Sequence, residues 1–179
     1  MKGDWRSRGR AHVFGDDLEH DGAMMPRRLV AARVTEAAEL MPHLFEEHRP
    51  GFAADVAPGD FVVGGRNFGC GHLHNQAFIA MEALGLRILC VSMPGAVVRA
   101  TVALALPCLH DCPGVSGWIH DGDDIEAAFD TGEVTNLTTG EQRRYQPLQE
   151  GVRIMLQQGG MRGLLTSHLA AHPELAEPR

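Results

Sequence analysis

The segment Asn67–Gly85, NFGCGHLHNQAFIAMEALG, carries the residues most able to do chemistry. A glycine-rich turn is followed by two histidines, His72 and His74, and then by apolar residues at helical spacing. Free backbone amides at the start of a helix favour a bound anion. An imidazole titrates near neutral pH and can accept a proton there. The segment therefore predicts a loop that holds a small anionic substrate beside a possible base.

Two short clusters, CGHLH at residues 70–74 and CLHDC at residues 108–112, could instead bind a metal ion. Cysteine and histidine are zinc ligands, and alternate residues of an extended segment point the same way. In the structural alternative, Cys90 and Cys108 are small buried hydrophobic residues and Cys70 lines a tight turn. Four cysteines in a chain of 179 residues predict reduced thiols rather than a disulfide framework. Metal binding stays an alternative, with no ligand assigned.

The segment GDDLEHDGAMMP near the start contains a second group of candidates. Its acidic residues, Asp16, Asp17, Glu19 and Asp21, stand among turn formers between short apolar runs, which predicts a loop. A solvated acidic turn explains them as well as a binding site does.

Strands and helices alternate around these loops. The runs HVF, GDFVVGG and RILCVSM predict strands, whereas residues 75–84 and the run GAVVRATVALAL predict helices, the first of which ends at Gly85. This alternation implies parallel strands joined by crossover helices. Residues 116–148 predict hairpins, and a last helix is expected to stop at Gly159 and Gly160.

Composition and charge exclude several classes of protein. A content of 44% hydrophobic and 22% charged residues is typical of one globular domain. The net charge of -7 argues against nucleic-acid binding, which requires clustered cations. No apolar run has the length of a membrane span, and the first residues lack the apolar stretch of a signal peptide. We therefore expect a cytoplasmic protein that contacts neither membrane nor nucleic acid.

Four segments, in the same order along the chain, resemble a known family: GDDLEHDGAMMP, GDFVVGGRNFGCG, DIEAAFDTGEVTNLTTGE and PLQEGVRIMLQQGGMRGLL. They are similar to the small subunit of isopropylmalate dehydratase and its relatives in the aconitase superfamily, from roughly Val13 to Leu165. The resemblance implies an α/β fold, a swivelling β/β/α domain with a partly open, barrel-like sheet flanked by helices. Residues 12–168 are expected to form it, between a flexible N-terminus at residues 1–11 and a C-terminal tail at residues 169–179.

The resemblance also implies a partner and a reaction. In the family the hydro-lyase site lies between the small subunit and a large subunit, which binds a [4Fe-4S] cluster, so the cluster is expected on the partner and not on this chain. The cluster iron acts as Lewis acid for the leaving hydroxyl, while the small domain supplies the base and holds the carboxylates. The expected reaction is dehydration or hydration of a hydroxy-carboxylic acid by a heterodimer or heterotetramer.

The second of these segments departs from the family at its polar positions. The family loop reads G-S-S-R-E-H, and alignment on Gly71 puts His72 at the serine base, Leu73 at the second serine, His74 at the arginine and Asn75 at the glutamate. We therefore expect His72 to be the general base and His74 to be a weaker substitute for the arginine.

The other carboxylate-binding segment of the family, S-F-A-R-I, matches residues 92–96 here and has also lost its arginine, although Arg99 a turn later matches a basic position. The substrate is therefore expected to differ from isopropylmalate. The substrate-binding residues expected from the resemblance are His74, Asn75, Asn67, Gly71, Asp16, Asp21 and Arg99.

The altered loop leaves a non-catalytic alternative open. The two histidines could fill a lost site, in a subunit that stabilises or regulates its large partner through a retained docking surface. A metal-binding protein that uses the cysteine and histidine clusters is the remaining alternative.

Overall fold

Seven strands form one sheet in the computed structural model, which describes residues 5–175. The strands are β1 (Arg6–Val13), β2 (Phe61–Gly64), β3 (Arg87–Cys90), β4 (Cys108–Leu109), β5 (Asp124–Ala128), β6 (Glu133–Asn136) and β7 (Gln142–Arg144). They are arranged in the order β4-β3-β2-β1-β5-β6-β7. The first four strands are parallel to one another, and the other pairings are antiparallel. The predictions of a parallel half and of hairpins after residue 116 are confirmed.

Seven α-helices connect or cover these strands in the described part of the chain. They are α1 (Arg27–Ala31), α2 (Ala37–Leu40), α3 (Phe52–Asp55), α4 (Gln76–Ala83), α5 (Gly95–Ala103), α6 (Glu150–Gln157) and α7 (Gly160–Ala171). Helices α4 and α5 are the predicted crossovers of the parallel half. Gly85 follows α4 with a φ of +71°, a left-handed conformation that glycine adopts without strain and that ends the helix.

Hydrophobic cores lie on both faces of the sheet because side chains alternate along each strand. On β2, Val62 belongs to one core, together with α4 residues such as Phe78 and Met81. Phe61 and Val63 belong to the other core, which β5 and α6 help to enclose. The second loop of the sequence, beginning at residue 65, therefore starts from a strand that is buried on both sides.

The structure corrects the flexible terminus expected at residues 1–11. From Arg6 the chain is a strand, paired with β5 from Arg6 opposite Ala128 to Arg10 opposite Asp124. Arg8 forms an ion pair with Asp124 on that neighbour. The arginine side chains that suggested a loose segment thus face solvent and the charges of an adjacent strand, while residues 1–4 lie outside the described part of the chain.

The expected C-terminal tail also begins differently. Helix α7 continues across the boundary at residue 169 as far as Ala171, and a short 3-10 turn, Pro173–Leu175, follows it. Residues 176–179 lie outside the described residues. None of the helices within residues 5–175 combines the length and the apolar character required to cross a bilayer.

Candidate active site

The candidate residues lie on two loops that leave the same edge of the sheet. The first loop, residues 14–26, follows β1, and the second loop, residues 65–75, follows β2. Because β1 and β2 are parallel neighbours, their carboxyl ends lie side by side. This edge is where open α/β sheets commonly bind their ligands.

Backbone hydrogen bonds join the two loops into one unit. The Gly65 amide donates to the Gly15 carbonyl at 3.1 Å. Farther along, the Gly69 amide donates to the Leu18 carbonyl at 2.9 Å. A Cβ on Gly65 would lie 2.2 Å from Oδ1 of Asp16, so a larger residue would force the loops apart.

Two of the predicted substrate ligands, Asp16 and Asn67, hold this loop pair together. The Arg66 amide and its Nε donate to the two carboxylate oxygens of Asp16 at 2.7 and 2.9 Å, and these hydrogen bonds lower the pKa of Asp16. Asn67 has a φ of +57° and donates its side-chain amide to Asp17 Oδ1 at 2.8 Å. Its backbone amide donates to the Ser92 hydroxyl, beyond β3, at 2.9 Å. Both residues therefore have a structural role, and their contact with substrate stays a prediction.

The two histidines differ in their surroundings. His72 is exposed and has no hydrogen-bond or ion-pair partner within residues 5–175. His74 lies with Nε2 3.5 Å from Oδ2 of Asp21, which brings two predicted site residues from different loops together. Their side chains are 39% and 33% exposed, so this pair is accessible to a small molecule.

The remaining predicted site residues, Gly71, Asn75 and Arg99, are all exposed. Gly71 has a φ of +83° and is exposed, which gives the second loop its turn before His72. Asn75 precedes α4 and is exposed, and its side chain does not cap that helix. Arg99 lies exposed on α5, with Nη1 3.8 Å from where a Cβ on Gly95 would be.

A cleft of about 630 Å³ lies beside the pair formed by His74 and Asp21. Arg27 and Arg33 line it, both exposed and neither in an ion pair with a described carboxylate. The full lining is Asp21, Arg27, Val30, Ala31, Arg33, His74 and Gln76. A smaller cavity of about 280 Å³ between α5 and α6 receives no residue from either loop. The larger cleft thus offers two cations and an imidazole to a small anion.

Sequence reasoning missed three residues of this region, Arg27, Arg33 and His20. The two arginines stand in PRRLVAARV, where the only sequence signal is their nearness to the acidic loop. His20 had no signal, since a histidine among four acidic residues is expected to be exposed.

His20 is in fact 1% exposed and packs edge-on against Phe78 of α4, with ring centroids 5.0 Å apart. Neither ring nitrogen has a hydrogen-bond partner within residues 5–175, although the Gly69 backbone passes close enough to the ring to oppose a small part of the pKa shift. Burial lowers the pKa of His20 to about 4, and the neighbouring Asp21 opposes this only in part. The imidazole is therefore neutral at neutral pH.

The cysteine and histidine clusters do not assemble a metal site in the described part of the chain. Among residues 5–175, no group of three or more His, Cys, Asp or Glu side chains could hold a metal ion. Cys90 and Cys108 are buried, as the structural alternative predicts; Cys112 is buried as well, and Cys70 is half-buried. Burial raises the pKa of Cys70, Cys108 and Cys112, which keeps these thiols protonated.

Several known proteins are similar to this chain over most of its length, and all of them are named as small subunits of enzymes. The isopropylmalate/citramalate isomerase small subunit of Methanocaldococcus jannaschii is 34% identical over 164 residues, which cover 91% of this chain and 95% of that protein. The 3-isopropylmalate dehydratase small subunit 1 of Methanopyrus kandleri is 40% identical over 157 residues, covering 86% and 89%. The methanogen homoaconitase small subunit of Methanothermobacter thermautotrophicus is 33% identical over 155 residues, covering 86% and 87%. No family model matches the chain.

A solved structure has the same fold. The crystal structure of 3-isopropylmalate dehydratase (LeuD) from Methanocaldococcus jannaschii matches with a TM-score of 0.82 and 28% sequence identity, over 94% of this chain and 98% of that chain. The predicted fold class, a mixed α/β domain with a curled, half-barrel sheet and flanking helices, is confirmed.

Proposed function

Because the chain belongs to the family of isopropylmalate dehydratase small subunits, in the aconitase superfamily, we propose that it catalyses hydration and dehydration of a hydroxy acid through imidazole chemistry. The chain is a hydro-lyase or isomerase small subunit, so its partner is a large subunit. Our proposal concerns the base, the substrate and the cofactor, which the family alone leaves open.

The observation that carries this proposal is the cleft beside the two loops. His74 and Asp21 meet there, 3.5 Å apart, and Arg27 and Arg33 line the same space. Dehydration removes a proton from the carbon next to a carboxylate, which requires a base close to a cation that holds the carboxylate. The cleft brings these two kinds of group together, even though the arginines of the family loops are absent.

The substrate is a hydroxy acid that differs from isopropylmalate. Arg27 and Arg33 each present a planar guanidinium, which can bind a carboxylate through two parallel hydrogen bonds. They come from α1 and the turn after it, not from the loop positions that carry arginine in the family. Leu73, at the second serine position, is 39% exposed and adds an apolar surface next to the histidines.

The [4Fe-4S] cluster belongs to the large subunit in this proposal. When bound there, it supplies a Lewis acid for the leaving hydroxyl. The thiols of this chain are protonated or buried and form no cluster site within residues 5–175. The contribution of this chain is to bind the carboxylates, to orient the substrate and to accept the proton at an imidazole nitrogen.

The test uses the full-length chain assembled with its large subunit. Isopropylmalate, citramalate and homocitrate are supplied in turn, with other hydroxy acids of similar size, and formation of the alkene is followed by its ultraviolet absorbance. We expect turnover of one of the other acids to exceed turnover of isopropylmalate. A complex that assembles but converts no hydroxy acid would favour the non-catalytic, regulatory alternative, and a preference for isopropylmalate would refute the altered substrate.

A further inference from the structure

The geometry points to His74, held by Asp21, as the base in this site, rather than His72. It rests on the proposed function, because it specifies which imidazole performs the proton transfer. It also reverses the roles expected from the alignment, in which His72 replaces the serine base and His74 replaces the arginine.

The first argument is orientation. A catalytic base is usually held by a third group that fixes its ring and its tautomer. His74 has such a group, since Nε2 lies 3.5 Å from Asp21 Oδ2. This distance is longer than a hydrogen bond, and contacts of this kind commonly tighten when substrate binds. With Nε2 facing the carboxylate, Nδ1 is left to accept the substrate proton, whereas His72 is exposed and has no such partner within the described chain.

The second argument is the buried polar group next to Asp21. Both nitrogens of His20 and Oδ1 of Asp21 are buried without a hydrogen-bond partner in the described part of the chain. A buried polar group without a partner is destabilising, so the fold keeps this arrangement at a loss of stability. His20 is neutral at neutral pH, because burial lowers its pKa. The negative charge of Asp21 is therefore not neutralised by His20 and remains directed at His74.

The third argument is the neighbourhood of the two rings. His74 lines the cleft together with Arg27 and Arg33, so a carboxylate bound by the arginines would lie next to it. His72 is not part of this lining. The charged and titratable groups around His74 are thus Asp21 and His20 from the first loop and Arg27 and Arg33 from α1 and the following turn.

The proposed step balances in the assembled complex. Nδ1 of His74 takes the proton from the carbon next to the substrate carboxylate. The electron pair of that C–H bond becomes the second bond of the alkene, and the hydroxyl leaves the neighbouring carbon with its own bonding pair, for which the large subunit would supply the Lewis acid. Hydration is the reverse, with His74 returning the proton.

The experiment compares variants of the assembled complex. His74→Ala is expected to lower kcat by about 10²–10⁴-fold, the usual contribution of a positioned base. Asp21→Asn is expected to lower kcat by less, since removal of an orienting carboxylate costs less than removal of the base. Adding Asp21→Asn to His74→Ala should cause no further loss, because residues that act as one unit are not additive.

Chemical rescue separates a proton-transfer role from a structural one. Free imidazole should restore part of the activity of His74→Ala, because the site is open to solvent. His74→Gln keeps the side-chain size without a titratable nitrogen, and it should be as inactive as His74→Ala while it still assembles with the large subunit. His172→Ala, which removes an exposed histidine on the segment after α7, is the matched control and should keep full activity.

The outcomes distinguish this inference from the proposed function. If His72→Ala removes turnover, is rescued by imidazole, and His74→Ala is active, the inference is overturned while imidazole catalysis stands. If both single variants turn over like the unmodified complex, imidazole catalysis fails and the inference with it.

Discussion

Replacement of His20 by leucine should make the protein more resistant to acid, and the structure gives the size of the effect. A histidine in the unfolded chain titrates near 6.5, whereas burial lowers the pKa of His20 in the folded chain to about 4. Since one pKa unit corresponds to about 1.36 kcal/mol, this difference is worth about 3 kcal/mol of unfolding free energy.

The sign follows from which state binds the proton. Between pH 6.5 and about 4 the unfolded chain is protonated at His20 and the folded chain is not, so falling pH favours unfolding. The unmodified protein therefore loses stability at this residue as pH falls through that window. His20→Leu has no such loss, and its unfolding free energy relative to the unmodified protein should rise by up to about 3 kcal/mol between pH 7 and pH 4.

The assay is urea unfolding of the full-length chain at a series of pH values, followed by tryptophan fluorescence. Trp5 and Trp118 are both buried and report the loss of the core. Phe61→Leu is the control, because it loosens the core on the other face of the sheet, away from His20, and removes no titratable group. Its stability difference from the unmodified chain should stay constant with pH. A His20→Leu difference that is equally flat would refute the argument that His20 is buried and neutral.

Three further outcomes are expected. Gly65→Ala should lower the melting temperature and the activity of the complex together, since its Cβ would lie 2.2 Å from Asp16 Oδ1 and separate the two loops; unchanged melting would contradict this tight contact. Arg27→Gln combined with Arg33→Gln should raise KM by about tenfold or more with little change in kcat, because each removes a charge-assisted contact to a carboxylate; Arg162→Gln on α7 is the control. The chain without its large subunit should show neither dehydratase activity nor iron–sulfur absorbance, and turnover by the single chain would refute the two-subunit site.

The alternation of strands and helices could be predicted because its signals are local. Helix α4 is specified by apolar residues at helical spacing and by Gly85, and both features act within a few residues. The same holds for the hairpins, where glycine and asparagine mark the turns. The end of the first strand was predicted from the run HVF, but its beginning was missed, because the polar residues there pair with β5, more than a hundred residues away, where Arg8 meets Asp124.

The candidate site could be predicted only in part, because its contacts also join residues that are far apart in the sequence. The sequence indicated both loops and the two histidines, since their residue types and glycine spacing are visible without a fold. It could not show that Asp16 is engaged by Arg66, because these residues are 50 positions apart. Nor could it show that His74 faces Asp21 while His72 has no partner in the described chain.

By itself, the sequence determined the family, the order of the elements and the identity of the groups that could accept a proton. Only the tertiary structure decided which of those groups meet. The parallel pairing of β1 and β2 brings the two loops to one edge of the sheet, and the packing of Phe78 from α4 against His20 buries that ring. Burial, orientation and charge pairing depend on distances between remote segments, and these distances exist only once the chain has folded.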